Sequence, residues 1–267
     1  MAYKHHPYKW MTIGKELKHI EEAQLQDVKN FFFKHYTPAN AILVVAGNVE
    51  TENVMQLAEK WFGPIPAGEK YVRQLPKEPA QTEARTLEIK ADVPLDAFVK
   101  TWHMASRLER GYYVTDLISD ILGGGASSRL YEALIKEKKL FSSIECYHFG
   151  SIDNGLLAIE GKLVKGVNIE DAHKAVNEEV EKMKTELVDE KELQKVINKT
   201  ESTILFEDMS VMSRANSLAY YELLGDAELM NDELQRYQSI TAQELLDESK
   251  KIFDEKNSNT LYYLSKN

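Results

Sequence analysis

The sequence predicts a mixed α+β fold in which strands are separated or followed by amphipathic helices. Three observations predict it. Apolar and polar residues alternate over residues 86–91 and 97–104, as they do in half-buried strands. Apolar residues recur at helical spacing over residues 23–36, 52–62 and 112–122. The 267 residues are 43% hydrophobic and 28% charged, which is the composition of ordinary globular domains.

The first sixty or so residues predict a helix, a strand and a second helix. The helix over 23–36 is ended by Thr37-Pro38, because proline disfavours helical backbone in the residue before it. The continuous apolar run at residues 41–46 predicts a strand buried on both faces. The helix over 52–62 is expected to be capped by Glu50 or Thr51.

Strands and helices also alternate in the rest of the chain. Residues 141–149 and 156–164 predict a hairpin, in which Asn154-Gly155 supplies the positive φ angles of a tight turn. We further expect helices over residues 169–187, 190–224, 228–237 and 242–253, and a strand over residues 260–264.

Charge, cysteine content and hydropathy exclude several classes of protein. With 33 Lys and Arg against 43 Asp and Glu, the net charge is -10, and no locally basic face suggests a nucleic-acid partner. Cys146 is the only cysteine, so no disulfide within the chain and no thiolate metal cage can form. No segment has the apolar length of a membrane span or a secretory signal, and the compartment stays open.

Two features indicate how the chain is divided. Residues 63–83 are rich in proline and have no apolar period, which is typical of a linker. The two ends of the chain also match. A helix that begins at Leu25 contains Phe33, and a helix that begins at Leu245 contains Phe253, so corresponding residues are 220 positions apart. In the strand that follows each helix, corresponding residues are 219 positions apart. This match predicts an internal duplication, with about 150 residues of a first unit lying upstream.

The histidines do not form a zinc motif. Neither His-Glu-x-x-His nor His-x-x-Glu-His occurs, although these spacings place two imidazoles on one helix face around a metal. Cys146 and His148 share a strand face and could begin a Cys-His nucleophile, but a small buried side chain near a paired histidine is the better explanation.

Two further segments could bind a ligand. Gly123, Gly124 and Gly125 could cradle an anion at the start of the helix expected from Ser127 or Ser128, but a glycine C-cap followed by a serine N-cap is the better explanation, because a helix and not a strand precedes them. Arg214 and Tyr221 lie seven residues apart on one helix face and could bind an extended peptide, but a solvated helix edge is the commoner explanation.

Several segments together resemble one family. They are His6-Pro7-Tyr8 with Ile13-Gly14, residues 36–49, residues 62–66 and residues 121–131. In order and spacing, the chain resembles the inverzincin zinc peptidases of the pitrilysin and insulysin type, most of all the shorter bacterial processing-peptidase-like members. The resemblance covers nearly the whole chain.

The resemblance implies the fold and its domains. It implies a two-layer antiparallel sheet with helices, of the processing-peptidase/LuxS-like type, with one complete unit and the tail of a preceding one. Residues 1–66 would be the tail of the first peptidase half, 67–83 the linker, and 84–267 the complete second half. The zinc ligands of that family lie upstream of the part that this chain matches.

The resemblance also implies a site. Arg214 and Tyr221 match an Arg and a Tyr that reach across a cavity to the substrate near the metal, and residues Gly123, Gly124 and Gly125 take the place of a substrate loop. In the full-length parent, zinc-activated water would hydrolyse the peptide bond while Arg214 and Tyr221 hold the substrate and the developing oxyanion. For this chain alone we expect no catalytic residue, no zinc and no peptidase activity.

The implied partners are a peptide substrate and the missing N-terminal half. A homodimer and a heterodimer both stay open, and neither nucleic acid nor a membrane span is expected. Two alternatives to the peptidase remain. The first is a non-catalytic partner or scaffold subunit of the same family, and the less favoured second is an anion- or nucleotide-binding module built on the glycine loop.

Overall fold

The computed structural model describes residues 1–266, which form two compact units. The sheet unit contains Met1–Lys4, Glu78–Ser202 and the described residues from Glu233 onward, and the helical unit contains His5–Lys77 and Thr203–Asp232. Each unit is therefore assembled from segments that lie far apart in the chain. The domain boundaries expected from the sequence stay a prediction.

The sheet unit is built on one mixed sheet. Its strands are β1 (Arg85–Ala91), β2 (Ala97–His103), β3 (Phe141–Phe149), β4 (Leu156–Leu163) and β5 (Ser258–Ser265). Their order in the sheet is β1-β5-β2-β4-β3, with β5 parallel to β1 and every other pair antiparallel. The predicted α+β fold is confirmed, and each strand predicted beyond residue 84 is present. The sheet is mixed where an antiparallel one was expected, because β1 and β5 run parallel.

Helices flank the strands in the order expected from the apolar spacing. They are α1 (Lys18–Glu21), α2 (Leu25–His35), α3 (Thr51–Phe62), α4 (Arg110–Gly123), α5 (Ile169–Thr185), α6 (Glu190–Glu207), α7 (Val211–Leu224), α8 (Leu229–Gln238) and α9 (Ala242–Ile252). In the sheet unit, α4 packs on β3 and α9, and α5 packs on α9. No helix in the described part of the chain combines the length and hydropathy needed to cross a bilayer.

Helices of the sheet unit pack on one face of the sheet, and part of the other face is exposed. On the covered face, the fully buried Trp102 meets the ring of Phe253 edge-on at 5.0 Å. Val99 points to the opposite face, because successive side chains of a strand alternate. Val99 is in register with Leu261, and Leu261 with Leu87, whose side chain is 44% exposed.

The prediction of a strand at residues 41–46 is wrong for this chain. The segment is extended but belongs to no sheet, and Leu43 and Val45 are 59% and 48% exposed. Apolar and β-branched residues favour extended backbone, but a strand also needs a neighbour with which to exchange hydrogen bonds. No neighbouring strand pairs with this segment within residues 1–266.

The structure corrects the offset of the internal match from 220 to 217. Helices α2 and α9 both have eleven residues and begin with capping boxes at Gln24 and Thr241, and 241 minus 24 is 217. Each helix is followed by a three-residue 3₁₀ turn that ends in asparagine, Asn40 or Asn257, again 217 apart. The two asparagines also act alike, because each side-chain amide donates to the carbonyl of the last residue of its helix. By this offset, residues 41–46 correspond to the start of β5.

Two local predictions were wrong because polar side chains bond to the backbone. The helix predicted over 190–224 breaks between α6 and α7, where the hydroxyl of Ser210 accepts a hydrogen bond from the Ser213 N–H and caps α7. The loop between β3 and β4 spans residues 150–155, and neither Asn154 nor Gly155 has a positive φ. Asn154 instead donates from its side chain to the Met104 carbonyl at 3.0 Å, which ties the loop to the end of β2.

The helix expected from Ser127 or Ser128 begins at Arg129 and has an unusual form. It continues as a π-helix over Tyr131–Glu137, and Lys139 after it has a φ of 54°. Such wide turns are rare and short in proteins. The glycine loop is therefore followed by a helix whose hydrogen bonds run one residue further than those of an α-helix.

Candidate functional site

Helix α7 carries the two side chains that the sequence singles out for peptide binding. Ser210 caps its first turn, and Gly225 follows its last turn with a φ of 117°, a left-handed conformation that glycine adopts without strain. The helix is thus delimited by residues whose local chemistry fixes both ends. It lies in the helical unit.

Arg214 and Tyr221 share one side of α7 but differ in environment. Seven residues make nearly two turns, so the two side chains leave the helix in almost the same direction, roughly 10 Å apart along its axis. Arg214 is exposed, whereas Tyr221 is only 2% exposed. The Tyr221 ring meets the Tyr220 ring edge-on at 5.9 Å. Their role in substrate binding stays a prediction.

The start of α7 combines a charge with exposed apolar side chains. Within the described residues, the Arg214 guanidinium makes no hydrogen bond or ion pair, so its N–H donors face solvent. Just before it, Met209 and Met212 are 78% and 70% exposed, and Val211 is 53% exposed. A guanidinium beside flexible apolar side chains can bind a peptide carbonyl and a neighbouring apolar side chain together.

The glycine loop lies in the sheet unit, where its first residue packs against β3. A Cβ on Gly123 would come within 2.5 Å of the Cys146 backbone nitrogen, so no other residue fits without moving the strand. Gly125 has a φ of 109° and open space around it, so conformation and not contact requires glycine there. A Cβ on Gly124 would overlap the Asp120 backbone, so steric and conformational constraints explain all three glycines without a ligand.

The end of this loop is bound to α6 by charged groups. Arg129 donates two hydrogen bonds to the Glu192 carboxylate, at 2.6 and 3.1 Å, and this pairing raises the pKa of Arg129. The Lys195 ammonium donates to the Ser127 carbonyl at 3.1 Å. A cavity of about 310 Å³ lies beside Gly123 and Gly125. Substrate handling by Gly123, Gly124 and Gly125 stays a prediction.

Cys146 and His148 do not form a nucleophilic pair. Cys146 is 5% exposed, and burial raises the pKa of its thiol, so the thiolate does not form near neutral pH. His148 Nδ1 lies 3.0 Å from one carboxylate oxygen of Asp116. The other carboxylate oxygen of Asp116 accepts a hydrogen bond from the Tyr237 hydroxyl. Burial by itself would raise the pKa of the Asp116 carboxyl group. The hydrogen bonds with His148 and Tyr237 have the larger combined effect, so the pKa of Asp116 is lowered.

A buried lysine is a polar group that no sequence motif singles out. Lys100 is 1% exposed, and its ammonium lies 3.3 Å from His173 Nε2, 3.1 Å from Asn177 Oδ1 and 3.3 Å from a Glu255 oxygen. Burial lowers the pKa of Lys100, against the attraction of Glu255. The available signal was its position between Phe98 and Trp102 in a strand whose alternation places all three on one face.

The described residues do not fit a zinc ion. They contain no group of three or more His, Cys, Asp or Glu side chains arranged to hold a metal. Within the described residues, none of the seven histidines therefore belongs to such a group. They are His5, His6, His19, His35, His103, His148 and His173.

Comparison with known proteins shows the family to which this α+β fold belongs. The family model described as the Peptidase M16 inactive domain matches residues 22–200. The chain belongs to this family. This confirms the resemblance to zinc metallopeptidases that was inferred from the sequence.

Individual relatives share the fold over nearly the whole chain. A protein named zinc protease PqqE, from Helicobacter pylori, is 26% identical over 264 residues, which are 98% of this chain and 59% of that protein. The crystal structure of a protease from Helicobacter pylori matches with a TM-score of 0.89 at 26% identity, over 98% of this chain and 64% of the other. A peptidase M16 inactive domain from Pseudomonas fluorescens has the same fold, with a TM-score of 0.83 at 19% identity, over 98% of this chain and 62% of the other.

The chain is shorter than these relatives. It spans 59% of the first relative and 64% of the first solved structure. The activity and the substrates of a whole protein of that length are therefore treated below as proposals.

Proposed function

We propose that this chain is the C-terminal, substrate-binding part of a zinc-dependent metalloendopeptidase that hydrolyses peptides or small proteins. Three findings support the proposal. The chain belongs to the M16 inactive-domain family, a relative that it matches over 264 residues is named a zinc protease, and the chain spans 59% of that relative. The residues that hold zinc would lie in the remainder of the parent, because the described residues do not fit the metal.

The domain organisation is part of this proposal. Residues 1–66 would be the tail of a first peptidase half, 67–83 a linker, and the residues from 84 onward the second half. The corrected offset supports a duplication, because α2 with Asn40 repeats α9 with Asn257 at a constant 217 residues. The unpaired segment 41–46 supports it too, since its counterpart in β5 is paired on both edges.

The observation that carries the substrate-binding role is the exposed guanidinium of Arg214, which has no partner among residues 1–266 and lies on the same side of α7 as Tyr221. Arginine has five N–H donors in a fixed plane and stays charged, so it suits an extended peptide's carbonyl oxygens. Tyr221 keeps its ring packed at 2% exposure, which holds its direction from the helix. Donors fixed before the reaction stabilise an oxyanion better than mobile ones.

The test uses the full-length parent with Arg214→Ala and Tyr221→Phe. We expect each to lower kcat/KM for a peptide substrate at least tenfold, while zinc content by elemental analysis stays at the parental value. Asn216→Ala is the matched control, because Asn216 is exposed on the opposite side of α7 and should leave kcat/KM unchanged. Unaltered turnover in both variants would remove the assignment.

The alternative is a non-catalytic partner or scaffold subunit, which the description of the matched domain as inactive also fits. The two functions differ in the sequence upstream of residue 1. A His-x-x-Glu-His motif about 100 to 150 residues upstream supports the peptidase, and a parent that lacks the motif there supports the subunit.

A further inference from the structure

A polar cleft lies where β1 begins and β2 ends, and an extended segment of the chain occupies it. The segment is Met1–Lys4, which we call the strap, and it belongs to the sheet unit. One guanidinium nitrogen of Arg85 donates to the carbonyls of Met1 and Ala2, at 3.0 and 2.9 Å. The Lys4 backbone N–H donates to the Glu78 carboxylate at 2.8 Å.

The strap also places one side chain in a defined position. The ring of Tyr3 meets the ring of His103 edge-on, with centroids 5.0 Å apart and an interplanar angle of 72°. Its hydroxyl donates to the Asn154 carbonyl at 2.8 Å. Backbone carbonyls on an arginine, a backbone amide on a carboxylate and one recognised side chain are the contacts by which proteins bind extended peptides.

The cleft has more hydrogen-bonding capacity than the strap uses. Four residues have buried polar side-chain atoms with no partner among the described residues: Gln81 Oε1, Arg85 Nε, His103 Nε2, and both Oδ1 and Nδ2 of Asn259. Asn259 is 1% exposed and in register with Arg85 on the neighbouring strand. A buried polar group without a partner is destabilising, because it has given up its hydrogen bonds to water. A ligand or a water that supplies partners is therefore favoured here.

A cavity of about 600 Å³ extends the cleft and adds charge selectivity. Gln81 and His103, each of which has one buried unpartnered atom, are among the residues that line it. Its other lining residues include four acidic and two basic side chains, namely Glu78, Glu109, Glu248 and Asp254 against Lys251 and Lys256. The excess of carboxylates favours a ligand that carries positive charge.

We propose that this cleft is a binding site for an extended basic peptide with a tyrosine, and that the strap occupies it as such a ligand does. The site consists of residues of the sheet unit, whereas Arg214 and Tyr221 belong to the helical unit. It therefore stands or falls independently of the proposed peptidase function.

The test measures binding of a fluorescent peptide, acetyl-Met-Ala-Tyr-Lys-amide, by polarisation. In the intact chain the strap competes at an effective concentration of about millimolar. We expect the chain lacking residues 1–4 to bind the peptide at least tenfold more tightly than the intact chain does. Tyr3→Ala in the intact chain loosens the strap without shortening the chain and should strengthen binding at least threefold.

Matched variants test the contacts themselves. In the shortened chain, replacing the peptide's tyrosine by alanine should weaken binding at least tenfold, and Arg85→Gln should weaken it at least fivefold. Lys90→Gln on the same strand is the control and should leave binding unchanged, because Lys90 lies five residues from Arg85 with an exposed side chain. Equal binding by the intact and the folded shortened chain, or binding without dependence on the tyrosine, would overturn the proposal.

Discussion

Replacement of Lys100 separates the contribution of its hydrocarbon stem from that of its charge. The side chain is 1% exposed between the sheet and α5, with three acceptors around its ammonium. Lys100→Ala removes three buried methylene groups, each of which contributes about 0.8 kcal/mol, so the loss is about 2.4 kcal/mol before any cavity term. Lys100→Met keeps most of the stem and removes the charge.

We expect the methionine variant to lie within about 1 kcal/mol of the parent in unfolding free energy. Burial is the largest influence on the pKa of Lys100 and lowers it, so the charged form is disfavoured at this position despite its bonds. His173 and Asn177 are half-buried, so water can replace the ammonium as their partner. The stem, and not the charge, should therefore account for most of the stabilisation.

Urea denaturation followed by tryptophan emission measures both variants. Trp102 is fully buried and its ring lies 5.4 Å from the Lys100 ammonium, whereas Trp10 and Trp61 are 45% and 65% exposed. Phenylalanine at the two exposed positions leaves Trp102 as the reporter of the sheet unit. With a slope of about 2–3 kcal/mol per M, Lys100→Ala should lower the urea midpoint by roughly 1 M. A methionine variant as unstable as the alanine variant would refute the reasoning.

The remaining predictions concern two glycines and one histidine. Gly123→Ala should cost more than about 3 kcal/mol in thermal or urea unfolding, because its Cβ would overlap the Cys146 backbone, whereas Gly225→Ala, with open space but a φ of 117°, should cost only about 1–2 kcal/mol. Equal losses of stability in the two variants would show that the overlap with the Cys146 backbone does not set the cost of Gly123→Ala. Burial, and next the Lys100 ammonium, lower the pKa of His173 below 6.5, so its contribution is present above pH 6.5 and is lost as the pH falls toward the folded-state pKa. Between pH 7.5 and 5, the parent should therefore lose more unfolding free energy than the His173→Gln variant does. Urea titrations at the two pH values measure both losses, and equal losses would contradict this prediction.

The sequence could predict most elements because each has a local cause. The apolar spacing of α2 and α3, the strand alternation of β2 and the glycines after α4 all act within a few residues. The break before α7 was missed although its cause is local too, because a serine inside a helical period does not show in advance whether it caps a new helix.

Other features depend on residues far apart in the chain and could not be predicted from local pattern. The apolar run at 41–46 is extended as predicted, but a strand requires pairing that a sequence window does not contain. The bonds of Lys100 to α5 and Glu255 join residues up to 155 positions apart. The strap joins residues 1–4 to side chains such as Arg85 and His103, and nothing in their own sequence indicates that contact.

The position of β5 between β1 and β2 determines when the sheet can form during synthesis. β5 is made after all the other strands, yet it separates the first two. Until β5 has left the ribosome, β1 has no neighbour, and β2 presents a bare edge along its whole length. Nascent chains that carry only β1 to β4 therefore expose unpaired strand edges through which they can associate, and a stop codon before Ser258 should lead to aggregation or degradation of the product.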